Sequence, residues 1–180
     1  LSSPLSRSGV RVFTLSSAAH AISDIDLLDP NFEKADYAQW VAYGRSKTAV
    51  ALLAVEFDRR YRNWGIRATA VHPGGVKTEL QRHYSPEIEA AFIKQINEAN
   101  EAKGLPPFQW KTIPQGAATT VWAAVVASAD IVGGRYCEDC HVADINDSEG
   151  VTNGVRSYAL DQERAAALWA LGEKLADEHF

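Results

Sequence analysis

Ile66-Arg67-Ala68-Thr69-Ala70-Val71-His72-Pro73-Gly74-Gly75 is the stretch that decides the fold of this chain. The run from Ile66 to His72 reads as a buried strand, and Pro73-Gly74-Gly75 turns the chain at its C-terminal end. Just before it, Gly65 stops a helical run from Tyr37 to about Asn63. Trp40, Val41, Ala49, Leu52, Leu53, Val55 and Phe57 recur there at helical spacing and predict one broad buried face. Arg59, Arg60 and Arg62 close the last turn, where cations suit the helix dipole, and the run Arg59-Arg60-Tyr61-Arg62 reads as a solvated helix end. Upstream, Val10 to Leu15, preceded by Ser8-Gly9, is a second short apolar strand. Strand, helix and strand predict a parallel crossover unit and an α/β fold. Ser16-Ser17 and the glycine turn then lie along one sheet edge, where open parallel sheets bind ligands.

The rest of the chain adds helices around that unit. His20 to Asp36 reads as a loop with at most a short helix. Ser85-Pro86-Glu87 starts a helix, with serine at the cap, proline at the first helical position, and Ile88, Phe92 and Ile96 continuing it to near Gly104-Leu105-Pro106-Pro107. Ile113-Pro114-Gln115 opens another from Gly116 to about Ser128, expected to be packed through Val121, Trp122, Val125 and Val126. Gly133 to Cys137 leads a third short strand, and Asp161 caps a last helix running to about Glu178. No repeat or low-complexity segment interrupts this order.

The composition narrows the function. With 180 residues, 46% hydrophobic and 23% charged, the chain is that of an ordinary globular protein. A net charge of −5 argues against nucleic acid or an anionic membrane as partner and favours small-molecule chemistry. Two cysteines suit a reducing compartment, so the cytoplasm is the expected location, and no transmembrane run is present. The chain opens Leu1-Ser2-Ser3-Pro4-Leu5 and holds no methionine, which predicts the interior of a longer protein.

Tyr43 and Lys47 lie four residues apart on the long helix, so they project from one face. A tyrosine, with an ordinary pKa of about 10, becomes a usable acid or base only when something stabilises its phenolate. A nearby ammonium does so, and Ser17 is the candidate third group to orient a substrate oxygen. The structural alternative is that Tyr43 packs and Lys47 reaches solvent. Pro73-Gly74-Gly75-Val76-Lys77-Thr78 brings backbone amides and a hydroxyl to a strand end, suited to a carboxamide or a phosphate, or serves simply as a turn. Cys137-Glu138-Asp139-Cys140-His141 is half of a zinc pattern with no second cysteine pair, and the plainer reading is two cysteines in or beside an edge strand. His20 and His72 either line the cleft or serve as hydrogen-bonded structural histidines.

Arg11 to His20, then Tyr43-Gly44-Arg45-Ser46-Lys47, then Val71 to Leu80, taken in order, resemble the short-chain dehydrogenase/reductase family. Ser16-Ser17-Ala18-Ala19-His20, the long gap to Tyr43, Gln115-Gly116-Ala117 and Asp139 to Ala143 look most like its retinol dehydrogenase and protochlorophyllide reductase branch. The resemblance implies a single partial domain, residues 1–180: the C-terminal portion of a doubly wound, Rossmann-type parallel sheet with flanking helices. It implies that Tyr43 passes the proton to or from the substrate oxygen, that Lys47 lowers its pKa and holds the nicotinamide ribose, and that Ser17 bonds the substrate carbonyl or hydroxyl. Pro73, Gly74, Val76 and Thr78 would hold the nicotinamide end of NAD or NADP, and residues 79–112 would form the substrate lid, walled by Phe92, Phe108 and Trp110. The implied activity is hydride transfer between that cofactor and an alcohol or carbonyl, with a double-bond reductase or a non-catalytic scaffold as rivals. The family's glycine-rich dinucleotide turn has no counterpart before Ser16, so the chain alone is expected to be inactive and to associate with a missing N-terminal half or with a second copy.

Overall fold

The computed structural model describes residues 9–82, 85–150 and 153–179; the expected turn residue Ser8 and the opening Leu1 to Leu5 lie outside them. Strands β1 (Val10–Leu15), β2 (Ile66–His72), β3 (Tyr136–Glu138) and β4 (His141–Val142) form one sheet in that order. β1 and β2 pair in parallel from Val10↔Ile66 to Leu15↔Val71, β2 and β3 pair in parallel, and the short β4 folds back antiparallel on β3. The crossover between β1 and β2 is helix α1 (Gln39–Tyr61), continued by a 3-10 turn, Arg62–Trp64. The expected parallel crossover is borne out, and the architecture is a mixed, mainly parallel α/β sheet of Rossmann type.

The two-residue period of the strands sorts side chains to two faces. Ala68 and Ala70 of β2 and Tyr136 of β3 join Ala51 and Ala54 of α1 in one core, with Val12 packed against it. Ala165 and Trp169 of α5 (Gln162–Ala176) close that face, packing with Leu52 and Val55 and with Tyr61 and Ile66. On the opposite face Phe13 and Cys137 pack with Ala123 and Val132. Those two residues come from the segment formed by α3 (Ile113–Val121), a π-helical turn (Trp122–Val126) and α4 (Ala129–Val132). Helices cover both faces, which is why β2 is nearly all buried.

Three expectations are corrected. The helix predicted from Gly116 to about Ser128 continues to Val126 but changes from α to π winding at Trp122, and Arg11 donates to the carbonyls of Ala123 and Ala127 at its end. Its valines face outward, Val125 being 74% and Val126 71% exposed, because the small residues pack inward. Gly116 is one of them: a Cβ there would lie 2.4 Å from Val76 Cγ2, so the close approach of α3 to the glycine turn excludes a side chain. In α1, Trp40 and Leu53 are not on the buried face but 42% and 41% exposed. The arginine-rich end of α1 is not simply solvated either. Arg59 and Arg60 both bond the fully buried Glu56 carboxylate at 2.7 Å, holding it below the usual carboxylate range, and Tyr61 is buried beside Trp169.

Helix α2 (Pro86–Glu101) starts as expected, with the Ser85 hydroxyl accepting from Ile88 N, but none of its residues is buried. Cys137 is buried in β3, whereas Cys140 is exposed in the β3–β4 turn beside Asp139, both with positive φ. Among the described residues no group of three His, Cys, Asp or Glu side chains could hold a metal, and no helix is long and apolar enough to cross a membrane.

Candidate active site

The C-terminal end of β1 is bolted to α1 by its alternate residues. Thr14 donates its hydroxyl to Val50 O at 3.1 Å, and Ser16 donates to Lys47 O at 2.8 Å. The Lys47 ammonium in turn donates to Leu15 O at 2.9 Å, which pins its long stem across the strand end. Nζ then sits 5.5 Å from the centroid of the Tyr43 ring, so the spacing of four residues does bring ammonium and phenol together. Burial lowers the Lys47 pKa below its ordinary value. Two of the three ammonium hydrogens have no acceptor among the described residues and are available to a ligand.

Ser16 and Ser17 have different roles. Ser16 is buried, its hydroxyl committed to α1. Ser17 caps a short 3-10 helix, Ala18–Ile22, accepting from Ala19 N at 3.2 Å, which leaves its own hydroxyl proton to donate. That helix touches α1 at Gly44, where a Cβ would stand 2.9 Å from Ala19 O; the glycine next to Tyr43 lets the two site segments approach.

The glycine turn joins them from β2. Ser16 N donates to Val71 O at 2.9 Å, and Gly74 N donates to His72 Nδ1 at 3.3 Å. Val76 O and Thr78 N are both engaged by the Gln81 side chain, whose amide donates to the first at 3.2 Å and accepts from the second at 2.9 Å. These two backbone groups are therefore spaced to hold a primary carboxamide. The segment returning from α2 is tied to the turn through Lys111 N, which donates to Gly75 O at 2.7 Å, and the Lys111 ammonium pairs with Asp139 of the β3–β4 turn.

An aromatic series extends from the tyrosine to Trp110. The Trp40 ring meets Tyr43 edge-on at 6.4 Å and lies parallel to Phe92 at 6.3 Å; Phe92 meets Phe108 at 6.4 Å, and Phe108 meets Trp110 at 5.0 Å. Phe92, Phe108 and Trp110 were legible as candidate walls, whereas Trp40 was assigned to the buried face. Its position three residues before Tyr43 was the available signal, since residues three apart share a helix face.

The two histidines near the site are both held neutral. Burial pulls His72 down to about 4, with the Lys111 charge adding to it, and burial also lowers His20. An unfolded imidazole titrates near 6.5, so between pH 6.5 and 4 the unfolded chain takes up a proton that the folded one refuses. Stability is thus complete above 6.5 and lost as pH falls toward 4. For His72, whose ring is partly exposed, the loss should reach about 2 kcal/mol. Urea unfolding at pH 7 and pH 4.5 checks this, and equal midpoints would contradict it.

Residues 31–89 match the short chain dehydrogenase family. A Streptomyces lividans protein described as "Probable oxidoreductase" is 41% identical over 163 residues, covering 90% of this chain and 54% of that protein. The short-chain dehydrogenase/reductase prx1 of Penicillium rubens is 36% identical over 168 residues, covering 93% of this chain and 47% of its own length. The crystal structure of an uncharacterized protein from Mycobacterium Paratuberculosis superposes with a TM-score of 0.60 at 30% identity, over 96% of this chain and 52% of that one. The chain thus spans about half the length of the curated relatives it matches. In sequence this chain is thus similar to short-chain dehydrogenases.

Proposed function

We propose that this chain carries the catalytic half of a nicotinamide-dependent oxidoreductase acting on an alcohol or carbonyl, in the retinol dehydrogenase-like branch of the family. The observation that carries the reading is the Lys47 ammonium, fixed to Leu15 O and poised at the Tyr43 ring with two hydrogens to spare. Those hydrogens suit ribose hydroxyls, and the Val76 and Thr78 backbone groups suit a nicotinamide carboxamide once Gln81 yields them. When bound, a nicotinamide supplies or accepts the hydride. Ser17 then holds the substrate oxygen by donating a hydrogen bond to it while keeping its proton, Tyr43 gives that oxygen a proton during reduction or takes one during oxidation, and Lys47 favours the phenolate by its charge. Trp40, Phe92 and Phe108 offer an apolar aromatic wall and suit an aromatic or extended hydrophobic substrate.

The 180 residues alone supply no glycine-rich pyrophosphate turn before Ser16, and β1 pairs only with β2 among the described residues. The expected result is NADH- or NADPH-dependent reduction of an aromatic aldehyde by the full-length protein and none by this chain in isolation. Absence of turnover and of any thermal shift with either cofactor in the full-length protein would favour a scaffold.

A further inference from the structure

His20 stands three residues after Ser17, fully buried, with both ring nitrogens engaged. A backbone N–H can only donate, and that of Arg156 points at His20 Nε2 from 3.1 Å, so Nε2 carries no proton. The ring proton therefore sits on Nδ1 and is donated to Ser17 O at 2.8 Å, a carbonyl that also accepts His20 N at 3.0 Å. The His20 carbonyl accepts the Tyr158 hydroxyl at 2.7 Å, and the Thr48 hydroxyl, one residue past Lys47, is shared between Ser23 O at 2.9 Å and His20 O at 3.2 Å. Arg156 is itself anchored, its guanidinium donating to Asn146 O at 2.6 Å and to Gly150 O. One imidazole thus connects the turn that aims Ser17 to a segment 136 residues further along the chain.

We infer that His20 is a positioning residue: its neutral, Nδ1-protonated ring ties the Ser17 backbone to the Arg156 segment and so sets the direction of the Ser17 hydroxyl. The inference rests on the reading of Ser17 as the group that orients the substrate oxygen. It makes Arg156 and Tyr158, remote in sequence, part of the machinery that aims the catalytic serine. A histidine that only filled space would need neither of these two opposed hydrogen bonds.

The test is a double-mutant cycle in the full-length protein. In His20→Asn the side-chain NH2 takes the place of Nδ1–H and keeps the bond to Ser17, whereas in His20→Gln the oxygen reaches the Nε2 position and keeps only the bond from Arg156. His20→Gln should lower kcat ten- to hundredfold with the cofactor KM unchanged, and His20→Asn should retain more activity. In a Ser17→Ala background, where there is no hydroxyl to aim, His20→Gln should cost less than threefold more. Losses that multiply in that background would overturn the role of His20 while leaving Ser17 in place. Full activity of Ser17→Ala beside a dead Tyr43→Phe would instead remove the Ser17 reading, and the inference with it. If His20→Gln does not fold, the long-range proton–nitrogen NMR spectrum of the wild-type protein decides: protonated Nδ1 with bare Nε2 is expected, and the opposite tautomer overturns the proposal.

Discussion

Replacing Tyr43 by Phe is expected to lower kcat for carbonyl reduction by a factor of about 1000, within the range of 100 to 10,000 that a positioned proton donor contributes. The substitution deletes one oxygen and keeps the ring, so the edge-on contact with Trp40 and the Lys47 ammonium near the ring survive. The hydroxyl has no hydrogen-bond partner among the described residues, and thermal stability should therefore hardly change. Cofactor KM should stay within a few-fold, because the lost interaction is made to the reacting oxygen. A rate unchanged in Tyr43→Phe would sink the acid role. The pH profile supplies a second check. Burial lowers the Lys47 pKa, so the ammonium that favours the phenolate discharges at lower pH than an exposed lysine would, and activity should fall early on the alkaline side.

The largest stability effect is expected at Asp58, far from the chemistry. Its carboxylate accepts from Ala68 N at 3.0 Å and from Arg67 Nε at 2.8 Å, at the start of β2. Arg67 is held above its ordinary pKa chiefly by this bond. Removing the carboxylate in Asp58→Ala unpairs a buried backbone N–H and strips a half-buried guanidinium of its main partner, which in comparable buried pairs costs 3–5 kcal/mol. Asp130 keeps one contact to Arg67, but it is highly exposed, so the lower end, about 3 kcal/mol, is expected. At roughly 2–4 °C per kcal/mol, the melting temperature should drop by about 10 °C. Asp58→Asn retains an acceptor for Ala68 N and should cost less than half as much; equal losses would show that the charge carries the whole effect and the acceptor none.

These two sites differ in how far they could be read from the chain. Tyr43 and Lys47 share a helix face by spacing alone, and the strand, helix and strand that carry Ser17, the pair and the glycine turn are local patterns whose periods survive folding. The parallel sheet and the placement of those segments on one edge followed from them. Asp58 with Ala68 and Arg67, and Glu56 with its two arginines, did not, because an acidic residue among arginines at a helix end looks the same whether it is solvated or buried. The π turn at Trp122 was equally hidden. Its carbonyls at Ala123 and Ala127 accept from Arg11, 112 and 116 residues away.

The sequence by itself determined the element order, the crossover, the helix caps at Ser85 and Asp161, and which residue types meet at the end of β1. Only the tertiary structure decided which serine is spent on α1, that Trp40 turns toward Phe92 instead of the core, and that His20 links Ser17 to Arg156. The division has one physical cause. Periodicity and capping are settled by neighbours a few residues away, whereas the partner of a buried polar group, and so its tautomer, charge and aim, is settled by whatever distant segment the packing brings against it.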